Sequence, residues 1–257
     1  MKVEFVLLNK DMNKCFLFDV DGTLTPSRKE INNTFFSFLE DWSQRAIKNK
    51  DKVFLTTGSD LPKLKEQIPE SFLNDISGYF CCMGNEYYSS KKNIYKNVNK
   101  DLAEKGSVHD WLLDKLAKNE YDKCFEPHFE FRTGMINFSF VGRGCSTEER
   151  AIYSKWDKRN KQREKLVLEF NKTFKEKKIN AFVGGEISID IQEEGADKSQ
   201  CIKFLSKRLK NHDFIFFGDR CEKSGNDYSI YSLCKQSNRW HVNDWKHTFE
   251  ILADNYF

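Results

Sequence analysis

The sequence has no stretch approaching the roughly 18 apolar residues that a transmembrane helix needs, so no membrane span is expected in its 257 residues. It has no Cys-x-x-Cys pair among its cysteines at 15, 81, 82, 124, 145, 201, 221 and 234, which argues against a zinc site. It has no strong charge of one sign. Lys and Arg number 42 against 39 Asp and Glu, so a general nucleic-acid surface is not indicated. The Lys-rich stretch 155–178 also carries Asp157, Glu164, Glu169 and Glu176 and reads as a solvated helix face. Repeats and low-complexity segments are lacking. Residues 1–13 hold only a short apolar run around Glu4, so no secretory signal is expected, and residues 1–14 read as a mobile leader. With no such signal, a cytosolic protein with reduced thiols is the natural expectation.

What is present is an ordinary globular composition, 39% apolar and 32% charged, long enough for one large domain or two modest ones. The 23 Phe are many and are expected to serve the core. Cys15 to Phe18 is an apolar run ending on Asp19 and reads as a buried strand. Ile31, Phe35, Phe38, Leu39 and Trp42 follow helical spacing. Val53 to Leu55 is a second short strand, Pro62 opens a helix, and Tyr79 to Cys82 is a third strand. Strand, helix, strand, helix, strand implies a parallel sheet covered by helices.

The pattern changes after about Tyr88. Phe129 and Phe131, then Ile136, Phe138 and Phe140, alternate with polar residues around Gly134, as in a half-buried antiparallel hairpin. Ser146 and Glu149 form a capping box for a long helix expected to run to about Lys175. Ile187, Ile189 and Ile191 alternate as another half-exposed strand. The α/β pattern resumes with a helix over Lys198 to Leu209 and an apolar strand over Phe214 to Phe217. A last strand over Arg239 to Val242 and a last helix through Trp245, Phe249 and Leu252 follow. The reading is α/β: a Rossmann-like core of residues 1–88 and 193–257, with an inserted α+β module over 89–192.

The sharpest chemical signal is Phe18-Asp19-Val20-Asp21-Gly22-Thr23-Leu24-Thr25. A strand delivers two carboxylates into the turn at its C-terminal end, where alternation points Asp19 and Asp21 the same way. One carboxylate can attack phosphorus and form an acyl-phosphate, and the other can donate and withdraw a proton. This DxDGT signature resembles that of the haloacid dehalogenase superfamily. Three further pieces fall where that superfamily needs them. Ser59 ends the second strand, where it can hydrogen-bond a phosphoryl group. Lys198 can neutralise phosphoryl oxygens. Asp219 and Asp227, in a Gly-Asp and a later Asn-Asp, are hard ligands suited to Mg²⁺. Asp19, Asp21, Asp219 and Asp227 form the candidate metal set. Open α/β sheets bind ligands beyond the carboxyl ends of their strands, so one cleft can collect these residues.

The inserted module narrows the reading. Glu130 to Asn137, Gly142 to Arg150 and Gly184 to Asp190 resemble segments of the eukaryotic-type phosphomannomutases, and the resemblance runs from about Lys14 to the C-terminus. It implies Asp19 as nucleophile and Asp21 as general acid/base. It also implies Arg28, Arg132, Asn137, Arg143, Arg150, Ser188 and Asp190 as sugar-phosphate-binding residues, and a hexose 1,6-bisphosphate as activator. Arg suits this role, because its planar fork of donors matches phosphate. The resemblance further implies a cytosolic homodimer joined through the inserted module, supplying GDP-mannose synthesis. The implied reaction interconverts mannose 6-phosphate and mannose 1-phosphate, with glucose phosphates as a second pair. The sequence departs from the family at Thr57, at Met83-Gly84-Asn85-Glu86, at Ala196, and at Leu233, where an Asp often assists a second cation. Two alternatives stand beside the mutase: a sugar-phosphate phosphatase of the same superfamily, and a catalytically silent sugar-phosphate-binding protein.

Overall fold

The computed structural model describes residues 12–223 and 225–256. The mobile leader expected over residues 1–14 falls mostly on residues outside that range, and Asn13 and Lys14 already belong to the first strand. The elements run β1 (Asn13–Asp19), α1 (Asn33–Lys48), β2 (Lys52–Thr56), α2 (Leu61–Gln67), α3 (Glu70–Asp75), β3 (Gly78–Cys81), β4 (Glu86–Ser89) and β5 (Lys92–Lys96). Next come α4 (Ser107–Ala117), β6 (Phe129–Arg132), β7 (Met135–Phe138), α5 (Thr147–Asn160), α6 (Gln162–Thr173), β8 (Ile179–Val183) and β9 (Ile189–Glu193). The chain closes with α7 (Ser199–Ser206), β10 (His212–Gly218), α8 (Tyr228–Tyr231), β11 (Arg239–His241) and α9 (Trp245–Asn255). Among the described residues, no helix is long and apolar enough to cross a membrane.

Two sheets result. The larger has the order β11-β10-β1-β2-β3-β4-β5, parallel through β3 and antiparallel in β4 and β5. The smaller is antiparallel, in the order β6-β7-β9-β8. In the parallel part, Asp19 pairs with Thr56, and Phe18 with both Leu55 and Phe217. This register sets the carboxyl ends of β1, β2 and β10 side by side, which is where the candidate residues sit.

The Phe-rich composition explains the packing. Phe16 and Phe18 project from the same face of β1 onto the edge of Trp42, at centroid distances of 4.9 and 5.7 Å. Phe18 also stacks on Phe217 at 4.8 Å. Asn32 caps α1 by accepting from the Thr34 and Phe35 amides, which fixes the helix that buries Phe35, Leu39 and Trp42. On the opposite face, Cys15 and Leu17 pack with Phe54, Phe80 and Phe216. The smaller sheet has its own core of Ile136, Phe138, Ile189 and Ile191 against Tyr153, Leu166 and Phe170. All eight cysteines are free thiols; seven are buried and Cys124 is exposed.

The structure corrects four expectations. First, β4 and β5 form a hairpin that extends the larger sheet, so a boundary at residue 88 would cut through it. We place the start of the second unit after Lys96 and its end after β9, which closes at Glu193. Second, the long helix expected from Ser146 is two helices. The capping box at Ser146 and Glu149 is present, but Lys161 adopts φ 60° and breaks the run. The cause is local. The buried Asp157 carboxylate accepts the Arg163 amide at 3.0 Å and so competes with continuation of the helix. Third, Ile187 and Ser188 precede β9 and form part of a loop. Fourth, α4 and β8 appear where no element was expected.

Candidate active site

The turn after β1 is built around Val20 and Gly22. The Val20 carbonyl accepts the Leu24 and Thr25 amides, both at 3.0 Å, which folds the DxDGT segment back on itself. Gly22 has φ +81°, and a Cβ there would lie 2.4 Å from Asp219 Oδ2. Glycine is therefore required twice, for its backbone angle and for the approach of a carboxylate. At Gly218 only the second reason applies, since a Cβ would meet Asp227 Oδ2 at 2.7 Å.

Asp19, Asp219 and Asp227 converge, each offering a carboxylate oxygen within 4.8 Å of the others. Lys198, with no exposed surface, donates to Asp19 Oδ1 and to Asp227 Oδ1, the latter at 2.6 Å. Asp227 Oδ2 accepts the Arg220 amide at 3.1 Å, and Thr23 Oγ1 donates to Asp19 Oδ2 at 3.4 Å. Burial, then the charge of Asp227, push the Asp19 carboxyl well above the usual range, against the pull of Lys198. The same two causes raise Asp219 to about 6. Burial opposes the Lys198 charge, but Asp19 and Asp227 outweigh it and hold its pKa above the ordinary value. Three carboxylates share one ammonium in a desolvated pocket, and their mutual repulsion adds to burial in raising Asp19 and Asp219. That donor set fits a hard divalent cation.

The Asp21 carboxylate is not one of the three that converge. Its Oδ1 accepts the Arg28 amide at 2.6 Å and Gln67 Nε2 at 2.9 Å, so its side chain is held beside the cluster. Leu233 is exposed beyond the end of α8. Ser59 lies after β2. Its amide donates to Thr57 Oγ1 at 3.0 Å and its carbonyl accepts the Cys82 amide at 2.9 Å. Thr57 at this position thus supplies a hydroxyl that fixes the Ser59 loop.

The second unit reaches the Ser59 loop through β6. Arg132 Nη1 donates to the Gly58 carbonyl at 2.7 Å, one residue from Ser59. Glu130 holds two guanidinium groups: Arg132 Nη2 at 2.7 Å and Arg143 Nε at 2.6 Å. Arg143 also donates to Asn137 Oδ1, and Asn137 Nδ2 donates to Asp190 Oδ1 at 2.6 Å. Burial would raise the Glu130 carboxyl, but Arg132 and Arg143, with Arg28, hold it below its ordinary value. Burial lowers Arg143 to about 10, with Arg28, Arg132 and Arg150 adding to the effect and Glu130 opposing it. Arg28, Arg132 and Arg150 therefore all lie within electrostatic reach of Arg143. Crowded guanidinium groups of this kind are relieved by an arriving phosphate. Ser188 is buried in the loop before β9.

Two participants were not singled out in the sequence. Glu130 organises the arginines, and its Glu-x-Arg spacing along one strand was a readable signal for a pair on one face. Gln67 holds Asp21 from 46 residues away, and nothing local announces it.

Known proteins resemble this chain closely. The family model for eukaryotic phosphomannomutase matches residues 39–256. A phosphomannomutase of Dendrobium officinale is 36% identical over 218 residues, covering 84% of this chain and 83% of that protein. Phosphomannomutase 2 of Dictyostelium discoideum is 31% identical over 253 residues, 97% and 99% of the two chains, and so includes the DxDGT segment that the family model does not reach. Among solved structures, a haloalkanoate dehalogenase superfamily phosphatase from Bacteroides thetaiotaomicron aligns with a TM-score of 0.59 at 13% identity, over 98% of each chain. The C-terminal domain of Candida albicans trehalose-6-phosphate phosphatase aligns at 0.61 and 17%, over 95% of this chain and 92% of that one. At such identities the structures establish a shared fold.

Proposed function

The chain belongs to the eukaryotic phosphomannomutase family, and from that membership we propose that it interconverts mannose 6-phosphate and mannose 1-phosphate through an aspartyl-phosphate on Asp19. What supports the reading is a link between two groups of charged residues. A carboxylate–lysine cluster stands at the ends of β1 and β10, and an arginine cluster on β6 and the approach to α5 is joined toward it through Arg132 on the Gly58 carbonyl and through Arg28, whose amide donates to Asp21. A phosphatase needs the first; a mutase handling a bisphosphate needs both.

In the proposed reaction, Asp19 attacks phosphorus of a hexose 1,6-bisphosphate and the bond from phosphorus to the sugar oxygen breaks. Asp21 gives its proton to that leaving oxygen. That transfer loads Asp19. The free hydroxyl of mannose 1-phosphate then attacks the aspartyl-phosphate, Asp21 withdraws its proton, and the bond from phosphorus to Asp19 breaks. The mannose 1,6-bisphosphate so formed turns end for end, and transfer of its 1-phosphate to Asp19 leaves mannose 6-phosphate. Lys198 and the Ser59 hydroxyl serve the phosphoryl oxygens. Asp19, Asp219 and Asp227 would hold Mg²⁺, which supplies charge neutralisation on the phosphoryl group. Arg28, Arg132, Arg143 and Arg150 hold the remote phosphate, and Asn137, Ser188 and Asp190 meet the sugar. A cytosolic homodimer joined through the second unit, feeding GDP-mannose synthesis, belongs to the same reading. The exposed Leu168, Phe182 and Val183 of that unit support a surface of this kind.

The deciding assay is conversion of mannose 1-phosphate with Mg²⁺ and a catalytic amount of hexose 1,6-bisphosphate, following both isomer and free phosphate. Isomer without stoichiometric phosphate is expected, whereas phosphate alone would mean a phosphatase. Arg143→Ala and Arg150→Ala are expected to lose isomerisation by about 10²-fold while hydrolysis of acetyl phosphate is spared, because charge-assisted bonds to a dianion are lost only at the remote end. Equal loss of both activities would place those arginines in the core chemistry or the fold. A separate expectation concerns the cation. Asp219→Ala removes one of three carboxylates, so the Mg²⁺ concentration for half-maximal activity should rise by about tenfold or more. Full activity in excess chelator would overturn the metal assignment.

A further inference from the structure

Asp157 and Arg163 form an ion pair buried in the second unit, at the break between α5 and α6. Asp157 Oδ2 accepts Arg163 Nε at 2.8 Å, and Asp157 Oδ1 accepts the Arg163 amide at 3.0 Å. The far end of the guanidinium is occupied elsewhere. Arg163 Nη1 donates to three main-chain carbonyls, Gly184 at 2.8 Å, Gly185 at 3.1 Å and Ser188 at 3.1 Å. All three belong to the loop between β8 and β9.

Carbonyl oxygens that point at one spot repel one another unless a cation or strong donor stands among them. Arg163 provides that charge, and Asp157 fixes the plane of its fork. The loop so held carries two consequences for the cleft. It closes on itself through the Gly184 amide and the Ser188 carbonyl at 2.9 Å. It also presses Gly184 against Asp190, where a Cβ would come 2.6 Å from Asp190 Oδ2. With Asn137 on its Oδ1, the Asp190 carboxylate is thereby set from both sides.

We propose that Arg163, locked by Asp157, is a positioning residue for hexose-phosphate binding, acting through the 184–188 loop on Ser188 and Asp190. The proposal rests on the functional reading above, since it assigns the sugar contact to Ser188 and Asp190. The partners shown for Asp157 and Arg163 all belong to the second unit, so phosphoryl transfer to Asp19 is expected to proceed without them.

The test uses the full chain with Arg163→Lys, in which one ammonium replaces a fork that serves Asp157 and the carbonyls at once. The double variant Asp157→Asn/Arg163→Gln removes both charges together and leaves neither buried alone, so it carries the test where the single variant does not fold. In the folded variant, KM for mannose 1-phosphate is expected to rise and kcat/KM to fall by about 10- to 100-fold, with acetyl phosphate hydrolysis unchanged within about twofold. Amide hydrogen exchange over residues 184–190 is expected to speed up. Unchanged exchange, or faster exchange with an unchanged KM, would overturn the proposal. So would parallel loss of both activities, which marks a purely structural pair. If the wild-type chain fails to isomerise mannose 1-phosphate, the functional reading fails instead, and the exchange measurement alone decides whether Arg163 holds the loop.

Discussion

Asp19→Asn should give a folded protein that forms no phosphoenzyme and turns over about 10⁴-fold more slowly or worse, the scale on which removal of a nucleophile acts. An amide oxygen is too weak a nucleophile for phosphorus. The substitution is nearly isosteric in a site where Asp19 is 4% exposed, so packing around it is preserved. Lys198 keeps Asp227 as its partner at 2.6 Å, so the variant leaves no unpaired ammonium in the interior. Incubation with labelled hexose 1,6-bisphosphate, followed by intact-mass measurement, reads the outcome directly. Turnover within tenfold of wild type would require another nucleophile and would sink the mechanism.

Asp21→Asn should slow isomerisation by about 10²–10⁴-fold, the usual contribution of a positioned acid/base, with a signature of its own. The asparagine retains the oxygen that accepts the Arg28 amide and Gln67 Nε2, so the turn should hold its shape. The first half-reaction with acetyl phosphate releases a carboxylate that needs no proton, so Asp19 should still be loaded. The second half-reaction needs a base to withdraw the attacking hydroxyl's proton, so the loaded form should persist. Accumulation of phosphoenzyme from acetyl phosphate, together with slow isomerisation, is the expected pair of observations. A variant that discharges at the wild-type rate would remove Asp21 from the proton-transfer role.

The part of this molecule that was readable in the sequence is the part encoded locally. The β1 turn carries its apolar run, its paired carboxylates and its glycine within eight residues, and the structure brings Asp19 together with Asp219 and Asp227. The Ser146 capping box was readable for the same reason. What was missed depends on distant partners. The β4–β5 hairpin holds Glu86, Tyr87 and Tyr88, which looked like the end of a domain. They belong to it because Tyr88 stacks on Tyr79 at 5.2 Å and Tyr87 on Phe80 at 4.4 Å. The break at Lys161 lacks a glycine or proline to announce it. It exists because Asp157 is buried and needs the Arg163 amide and guanidinium. The direction of the Asp21 carboxylate was not legible because alternation along β1 stops at the turn, where Gln67 from α2 and the Arg28 amide hold it.

The distribution of thiols gives the molecule a practical property. Seven cysteines are sealed inside, and burial pushes Cys15, Cys82, Cys201, Cys221 and Cys234 far toward the unreactive neutral form. Cys124 stands exposed in the second unit, between α4 and β6. A maleimide dye offered to the native protein should therefore settle on that one position. The chain arrives with its own attachment point for a fluorescent reporter, on the half of the molecule that carries the arginine cluster. The reporter's response to added sugar phosphates can then be followed with no cysteine having to be removed first.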